Sequence, residues 1–244
     1  MDVLGVILAR KGSVGLPNKH LLPLLGRPVV TYTFDHARAS KLLGKCVVTS
    51  DSPEVLDLAR AAGIDAIERP PALATADASV QDVMLHAMAR VERDEAFRAR
   101  ALVVLYGNVP VRGDGVIDQA IGMLLDTGCD SVRSFCPVGK WHPHWMATLD
   151  YRTGKVHPLH PGSIHRRQDL APLFLHDGAV VAVSRESMLR GQAAPDDPHA
   201  FFGVDRRGFE TGPGQTVEID HLRDLYYAEA ALRERVVLRA MATS

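Results

Sequence analysis

The chain opens with a nearly unbroken apolar run, Val3 to Ala9, and comparable runs recur at Cys46–Thr49, Ala101–Leu105 and Gly178–Ser184. Short apolar runs without alternation describe strands covered on both faces, as in a parallel sheet. Segments with helical spacing separate them. Pro28 sits in the first turn of one that reaches Ser40. Ser52 caps and Pro53 opens a second, which stops at Gly63. Ser79 precedes the periodic set Val83, Met84, Ala87, Met88 and Val91, with Asp82 placed as in a capping box. Gly115 to Thr127 is a further helix with Gly128 as its stop, and strands are expected around Ala66 and Ile67 and over Asp130–Phe135. Strand and helix in alternation predict an α/β fold: a Rossmann-like, mostly parallel sheet with helices on both faces.

The pattern breaks after the strand ending at Phe135. From Trp141 to Leu170 the chain is rich in His, Pro and Arg, with a hairpin-like turn at Arg152-Thr153-Gly154. We read residues 141–172 as an insertion in a single domain spanning residues 1–244. Asp196 to Gly214 is loop-rich, Val217–Asp220 reads as a late strand, and Leu222 to Arg235 as a final amphipathic helix.

With 244 residues the chain can bury a sizeable core. Its net charge of -1 supplies no global field to attract nucleic acid or anionic lipid, so any polyanion is held locally. The three cysteines, Cys46, Cys129 and Cys136, show neither CxxC nor zinc-ligand spacing and are expected to be core thiols of a cytoplasmic protein. Val3–Ala9 lacks the flanks of a signal peptide.

Candidate chemistry begins where the first strand ends. Arg10-Lys11-Gly12-Ser13-Val14-Gly15-Leu16-Pro17-Asn18-Lys19 is a glycine-rich loop carrying cations. Glycines let backbone N–H groups approach phosphate oxygens, and Arg10 and Lys19 supply the charge those dipoles lack. The spacing is that of neither a P-loop nor a dinucleotide fingerprint. In open α/β sheets ligands sit beyond the carboxyl ends of the strands, where Ser50-Asp51, Gly107-Asn108 and the pair Glu218 and Asp220 also fall. Two carboxylates at i and i+2 of an extended run share a face, and hard oxygen donors beside a polyphosphate suit Mg²⁺. Arg166-Arg167-Gln168 gathers planar cationic forks that match carboxylate or phosphate. The eleven histidines lack the regular spacing of a metal site.

Together these motifs resemble the N-acylneuraminate cytidylyltransferase family. The family's opening ARxGSKGxPxKN is similar to Ala9 through His20, and its S/T-T/S-D to Thr49-Ser50-Asp51. Its RPxxLAxDxAxSxDVxxHA is similar to Arg69-Pro70, Leu73-Ala74, Asp77-Ala78, Asp82-Val83 and His86-Ala87, with Ser79 and Val80 in the serine region. QPTSPLR resembles Tyr106 through Arg112, RRQDLPxxxxxxGA resembles Arg166 through Ala179, and VDID resembles Val217 through Asp220. The resemblance implies a fold of the nucleotide-diphospho-sugar transferase type and transfer of CMP from CTP to the anomeric hydroxyl of a nonulosonic, sialic-like acid, with release of pyrophosphate. It implies that Ala9, Arg10, Gly12, Ser13, Asn18, Lys19, Ser79 and Asn108 meet the nucleotide, and that Glu218 and Asp220 hold Mg²⁺. Arg10, Lys19 and Asp220 are then the catalytic set, and Tyr106, Arg166, Arg167 and Gln168 lie near the sugar. It also implies a homodimer joined through the insertion.

This chain departs from the pattern at three places. Val14 replaces the lysine of GSK, His20 replaces an asparagine, and Tyr106 replaces a sugar-contacting glutamine. A phenol offers the sugar a different hydrogen-bond set from an amide. The alternatives left open are an eight-carbon keto acid as acceptor, another nucleotide joined to a sugar 1-phosphate, and a catalytically silent binding protein.

Overall fold

The structure is a computed structural model and describes residues 2–12, 15–94, 96–160, 162 and 164–242. Ser13 and Val14, the centre of the glycine-rich loop, lie outside them. In chain order the elements begin with β1 (Val3–Leu8), the short ribbon β2 (Pro23–Leu24) and β3 (Arg27–Pro28), α1 (Val29–Ala39), β4 (Lys45–Ser50), α2 (Pro53–Ala61), β5 (Asp65–Glu68), α3 (Val80–Asp94), β6 (Ala101–Tyr106) and α4 (Val116–Thr127). They continue with β7 (Ser131–Pro137), β8 (Ala147–Leu149), β9 (Val156–Pro158), β10 (Phe174–Ser184), α5 (Arg185–Arg190), β11 (Arg206–Glu210) and α6 (Leu222–Ala242).

A seven-stranded sheet runs in the order β11-β7-β10-β6-β1-β4-β5. All its strands are parallel except β10, which runs against both β6 and β7. The strands with the purest apolar runs, β1 and β6, sit centrally and are buried on both faces. One face packs Val30 and Phe34 of α1, Val55 of α2 and Ile121 of α4 against Ile7, Val48 and Val103. The other packs Met84 and Met88 of α3, Met188 of α5, and Phe201 and Phe202 against Val6, Val104 and Val181. The predicted caps form: Ser52 Oγ accepts from Val55 N, Ser79 Oγ accepts from Asp82 N at 3.0 Å, and Gly128 closes α4 at φ 65°.

Three expectations change. The stretch read as loop-rich contains β11, an edge strand whose Arg206-Arg207-Gly208-Phe209-Glu210 composition carries almost no apolar signal because it is mostly exposed. The late strand at Val217–Asp220 reduces to one antiparallel bridge, Val217 to Val111, and Ile219 N instead donates to Asn108 O at 2.8 Å. The last helix runs on to Ala242. Outside the main sheet, β8 and β9 form a hairpin closed by Gly154 N to Asp150 O at 2.7 Å. Cys129 is buried, Cys46 and Cys136 are partly buried, and all are free thiols. Among the described residues no helix is long and apolar enough to cross a membrane.

Candidate active site

The carboxyl ends of β1, β4 and β6 set the floor of the site. Gly107 N donates to Leu8 O at 2.9 Å, and Ala9 N to Thr49 O at 3.2 Å, so the loop after β1 starts locked between its neighbours. Ser50 Oγ donates back to Ala9 O, and Lys11 N to Asp51 Oδ1 at 2.7 Å. Gly12 is exposed with open space where a Cβ would stand. Asn18 takes the left-handed conformation, φ 52°, that turns the chain into a short 3-10 turn, Lys19–Leu21. A side chain on Gly107 would meet Leu8 O and the His20 ring at 3.0 Å, which accounts for a glycine where β6 gives way to its loop.

That turn aims Lys19 across the cleft. Its Nζ lies 2.7 Å from Asp220 Oδ1, joining positions 201 residues apart. Asn108 then ties the acidic couple together: Nδ2 is 3.2 Å from Glu218 Oε1, 3.4 Å from Asp220 Oδ1 and 3.0 Å from Ile219 O. A Cβ on Gly15 would lie 3.0 Å from Asp220 O, so the loop backbone itself touches the acidic segment. The glycine-rich loop, the end of β6 and the carboxylate pair therefore form one pocket.

Electrostatics distinguishes the two carboxylates. Burial, and then the nearby Asp220 charge, push the Glu218 carboxyl up, whereas Asp220 is half exposed and already carries a cation. Among the described residues no group of three or more His, Cys, Asp and Glu side chains could hold a metal. The pair nonetheless fits an ion of the Mg²⁺ kind, which needs only one or two protein carboxylates when phosphates and waters complete its shell. The Lys19 ammonium on Asp220 shows that this carboxylate takes a cation.

Two arginines that the motif match includes without a role, Arg69 and Arg112, hold the frame. Arg112 is 1% exposed and donates to Tyr106 O at 2.7 Å, Val109 O at 2.6 Å, Ala179 O at 2.8 Å and Thr33 Oγ1 at 2.9 Å. It pins the loop that carries Asn108, and burial draws its pKa down to about 9, so it stays charged at neutral pH. Arg69, also buried, donates to Thr49 O at 2.9 Å, and burial lowers its pKa to about 10 with Asp51 opposing and Arg10 adding to the fall. His20 is kept neutral, its pKa drawn down to about 3 by burial and then by Lys19. No local sequence signal marks a buried arginine, because its partners are backbone carbonyls gathered by folding.

The remaining predicted residues lie apart from this pocket or at its rim. Arg10 is half-buried at the loop's start and faces Arg69. Ser79 Oγ donates to Asp82 at 2.8 Å within the α3 cap, and no hydrogen bond joins it to the loop among the described residues. Tyr106 ends β6, and burial pushes its phenol up to about 12, with Glu218 raising it further. Arg166 forks onto Asp169 at 2.7 and 3.0 Å, while Arg167 lies near Gly139; with Gln168 they belong to the exposed insertion. Among the described residues no hydrogen bond or ion pair joins these three to Lys19, Glu218 or Asp220.

A family model described as cytidylyltransferase matches residues 4–241. The chain belongs to the cytidylyltransferase family. An N-acylneuraminate cytidylyltransferase of Streptococcus agalactiae is 31% identical over 192 residues, 78% of this chain and 45% of that protein. A Helicobacter pylori protein named for a pseudaminic acid cytidylyltransferase and a UDP-sugar hydrolase is 23% identical over 235 residues, 96% of this chain and 43% of that protein. The chain thus spans less than half the length of either relative. Among solved structures, CMP:2-keto-3-deoxy-manno-octonic acid synthetase complexed with CTP superposes with a TM-score of 0.73 at 20% identity, covering 96% of this chain and 100% of that one. At that identity the likeness establishes the family's fold, with its mostly parallel sheet.

Proposed function

We propose that the chain transfers CMP from CTP to the anomeric hydroxyl of a nonulosonic, sialic-like acid and releases pyrophosphate, using Mg²⁺ at Glu218 and Asp220. The observation that carries this reading is the Lys19–Asp220 contact at 2.7 Å, shared through Asn108 with Glu218. It supplies phosphate-binding cations and metal-binding oxygens side by side. The names of the relatives supply the substrate class.

In the proposed reaction the anomeric oxygen bonds to the α-phosphorus as the bond to the β-phosphate oxygen breaks. Pyrophosphate departs and the hydroxyl proton passes to solvent water. Such a transfer asks for positioning and charge neutralisation more than for covalent work by the protein. Loop N–H groups and Arg10 hold the phosphates, with Ser13 in the same loop. Lys19 leaves Asp220 for a phosphate oxygen when the triphosphate enters. Asn108 keeps Glu218 and Asp220 facing the same point. Bound there, Mg²⁺ would neutralise developing phosphate charge. Ala9, Gly12 and Asn18 shape the loop, and Ser79 at the α3 start faces the nucleoside.

Arg166, Arg167 and Gln168 reach the sugar from a second chain in this account. Trp141 at 69%, Leu149 at 54% and Val156 at 60% exposure give the insertion an apolar surface suited to a homodimer. A nucleoside triphosphate substrate places the reaction in the cytoplasm.

Pyrophosphate release should be followed with CTP, ATP, GTP and UTP against sialic, legionaminic, pseudaminic and eight-carbon keto acids and against sugar 1-phosphates. CTP with a nonulosonic acid should dominate, and activity confined to a sugar 1-phosphate would reject the proposal. Asp220→Asn should abolish Mg²⁺-dependent turnover with the fold retained; undiminished activity would remove Asp220 from the mechanism.

A further inference from the structure

Among the described residues Arg133 has no counter-ion. It lies near the middle of β7, half-buried, with its Cζ 4.5 Å from the Phe202 ring centroid and 5.1 Å from that of Phe135. Among the described residues its guanidinium meets no carboxylate and no hydrogen-bond acceptor. The ionisable groups beside it are Arg206, which repels it, the Tyr106 phenol and the His176 ring; burial and then Arg206 draw its pKa down. Arg206 differs, since its Nε donates to Gly203 O at 2.6 Å. A partly desolvated guanidinium held over aromatic rings with its donors unspent is prepared for a planar anion.

The register places that cation on the face of the sheet that carries Tyr106. Val181 of β10 pairs with Val104 on one flank and with Arg133 on the other, so Val104 and Arg133 share a face. Tyr106, two residues beyond Val104, shares it too. The platform is fixed by neighbours: Ser131 Oγ donates to Phe202 O at 2.7 Å, His199 stacks on Phe202, and Gly208 leaves room for Phe135, whose ring a Cβ there would meet at 2.6 Å. Gly178 of β10, the strand between β6 and β7, lies against Glu218, where a Cβ would stand 3.0 Å from Oε2, so the acidic couple adjoins the strand that separates Tyr106 from Arg133.

We propose that Arg133, with the Tyr106 phenol beside it, receives the carboxylate of the acceptor acid and thereby sets its specificity. The inference rests on the reading that the acceptor is a 2-keto sugar acid. In such an acid the anomeric carbon bears both the attacking hydroxyl and the carboxylate, so the carboxylate must sit next to the phosphate and metal pocket. A guanidinium that forks onto it orients the ring as well as binding it.

The test uses the full chain with CTP and Mg²⁺, and N-acetylneuraminic and pseudaminic acids with their methyl esters. Transfer is measured as CMP-sugar formed, and binding by calorimetry. Arg133→Met keeps the aliphatic stem over Phe202; it should raise the KM for the acid by about tenfold or more, leave that for CTP unmoved and erase the preference for acid over ester. Arg133→Lys should restore part of that preference, which a purely structural loss would not. Binding of the acid that Arg133→Met abolishes, without transfer in the wild type, would keep the subsite and remove the reaction. Transfer whose preference for acid survives Arg133→Met would remove the subsite and keep the reaction. A wild-type protein that binds neither acid would remove both.

Discussion

Glu218 is where function and stability oppose each other most directly. Burial and the Asp220 charge raise its folded-state pKa above the ordinary 4.5, so the folded protein holds this proton more tightly than the unfolded chain. Its contribution to stability is therefore fully present at acid pH and falls as pH rises through the folded pKa. Glu218→Gln removes the penalty. That variant should show a higher Tm than wild type at neutral pH, with the difference shrinking as pH falls toward 4.5, and should lose Mg²⁺-dependent turnover. A lower Tm at neutral pH would contradict the account of this residue. At this scale the residues that the structure brings together, Lys19, Asn108, Glu218 and Asp220, are recognisable from loop composition, strand ends and i, i+2 spacing. The motif match includes Arg112 but could not disclose its role, because its partners are carbonyls of Tyr106, Val109 and Ala179 that only folding gathers around one side chain. Arg112→Met would leave those acceptors bare in the interior and should cost about 3 kcal/mol or more, read from denaturant unfolding.

Among the elements, β10 does most to shape the site. Its register on β7 breaks between His176 and Val181, and the break turns Asp177 toward Ser134, Thr211 and Thr216 and brings Gly178 against Glu218. Burial pushes the Asp177 carboxyl up, but the hydrogen bonds from those hydroxyls outweigh it and hold it below the usual carboxylate range. Gly178 has φ 76°, and a Cβ there would stand 3.0 Å from Glu218 Oε2. Gly178→Ala should cost about 1–2 kcal/mol through backbone strain and also weaken Mg²⁺ dependence by displacing the carboxylate; a variant with wild-type stability and metal response would refute this role of the bulge. Strands and helices of the core were legible because purely apolar runs and capped periodic segments declare themselves. The antiparallel sense of β10 was not, since burial on both faces reads the same in either direction, and β11 escaped because an exposed edge strand keeps few apolar residues.

Across the whole molecule, the site is assembled from opposite ends of the chain, and the β8–β9 hairpin of the insertion lies outside the main sheet. In the proposed reading Arg166, Arg167 and Gln168 serve the sugar from another copy. The protein should accordingly elute and sediment as a dimer, and Leu149→Glu combined with Val156→Glu on the exposed hairpin should yield monomers that bind CTP but do not transfer. Full activity in such monomers would separate the insertion from the reaction. The central claim is that the amino-terminal loop and the late carboxylates hold one nucleotide and its metal. A crystal structure with CTP and Mg²⁺ tests it most directly. The account predicts the Lys19 ammonium moved from Asp220 onto a phosphate oxygen, with the ion on the Glu218–Asp220 pair; a nucleotide bound elsewhere, with the 2.7 Å Lys19–Asp220 contact intact, would contradict it.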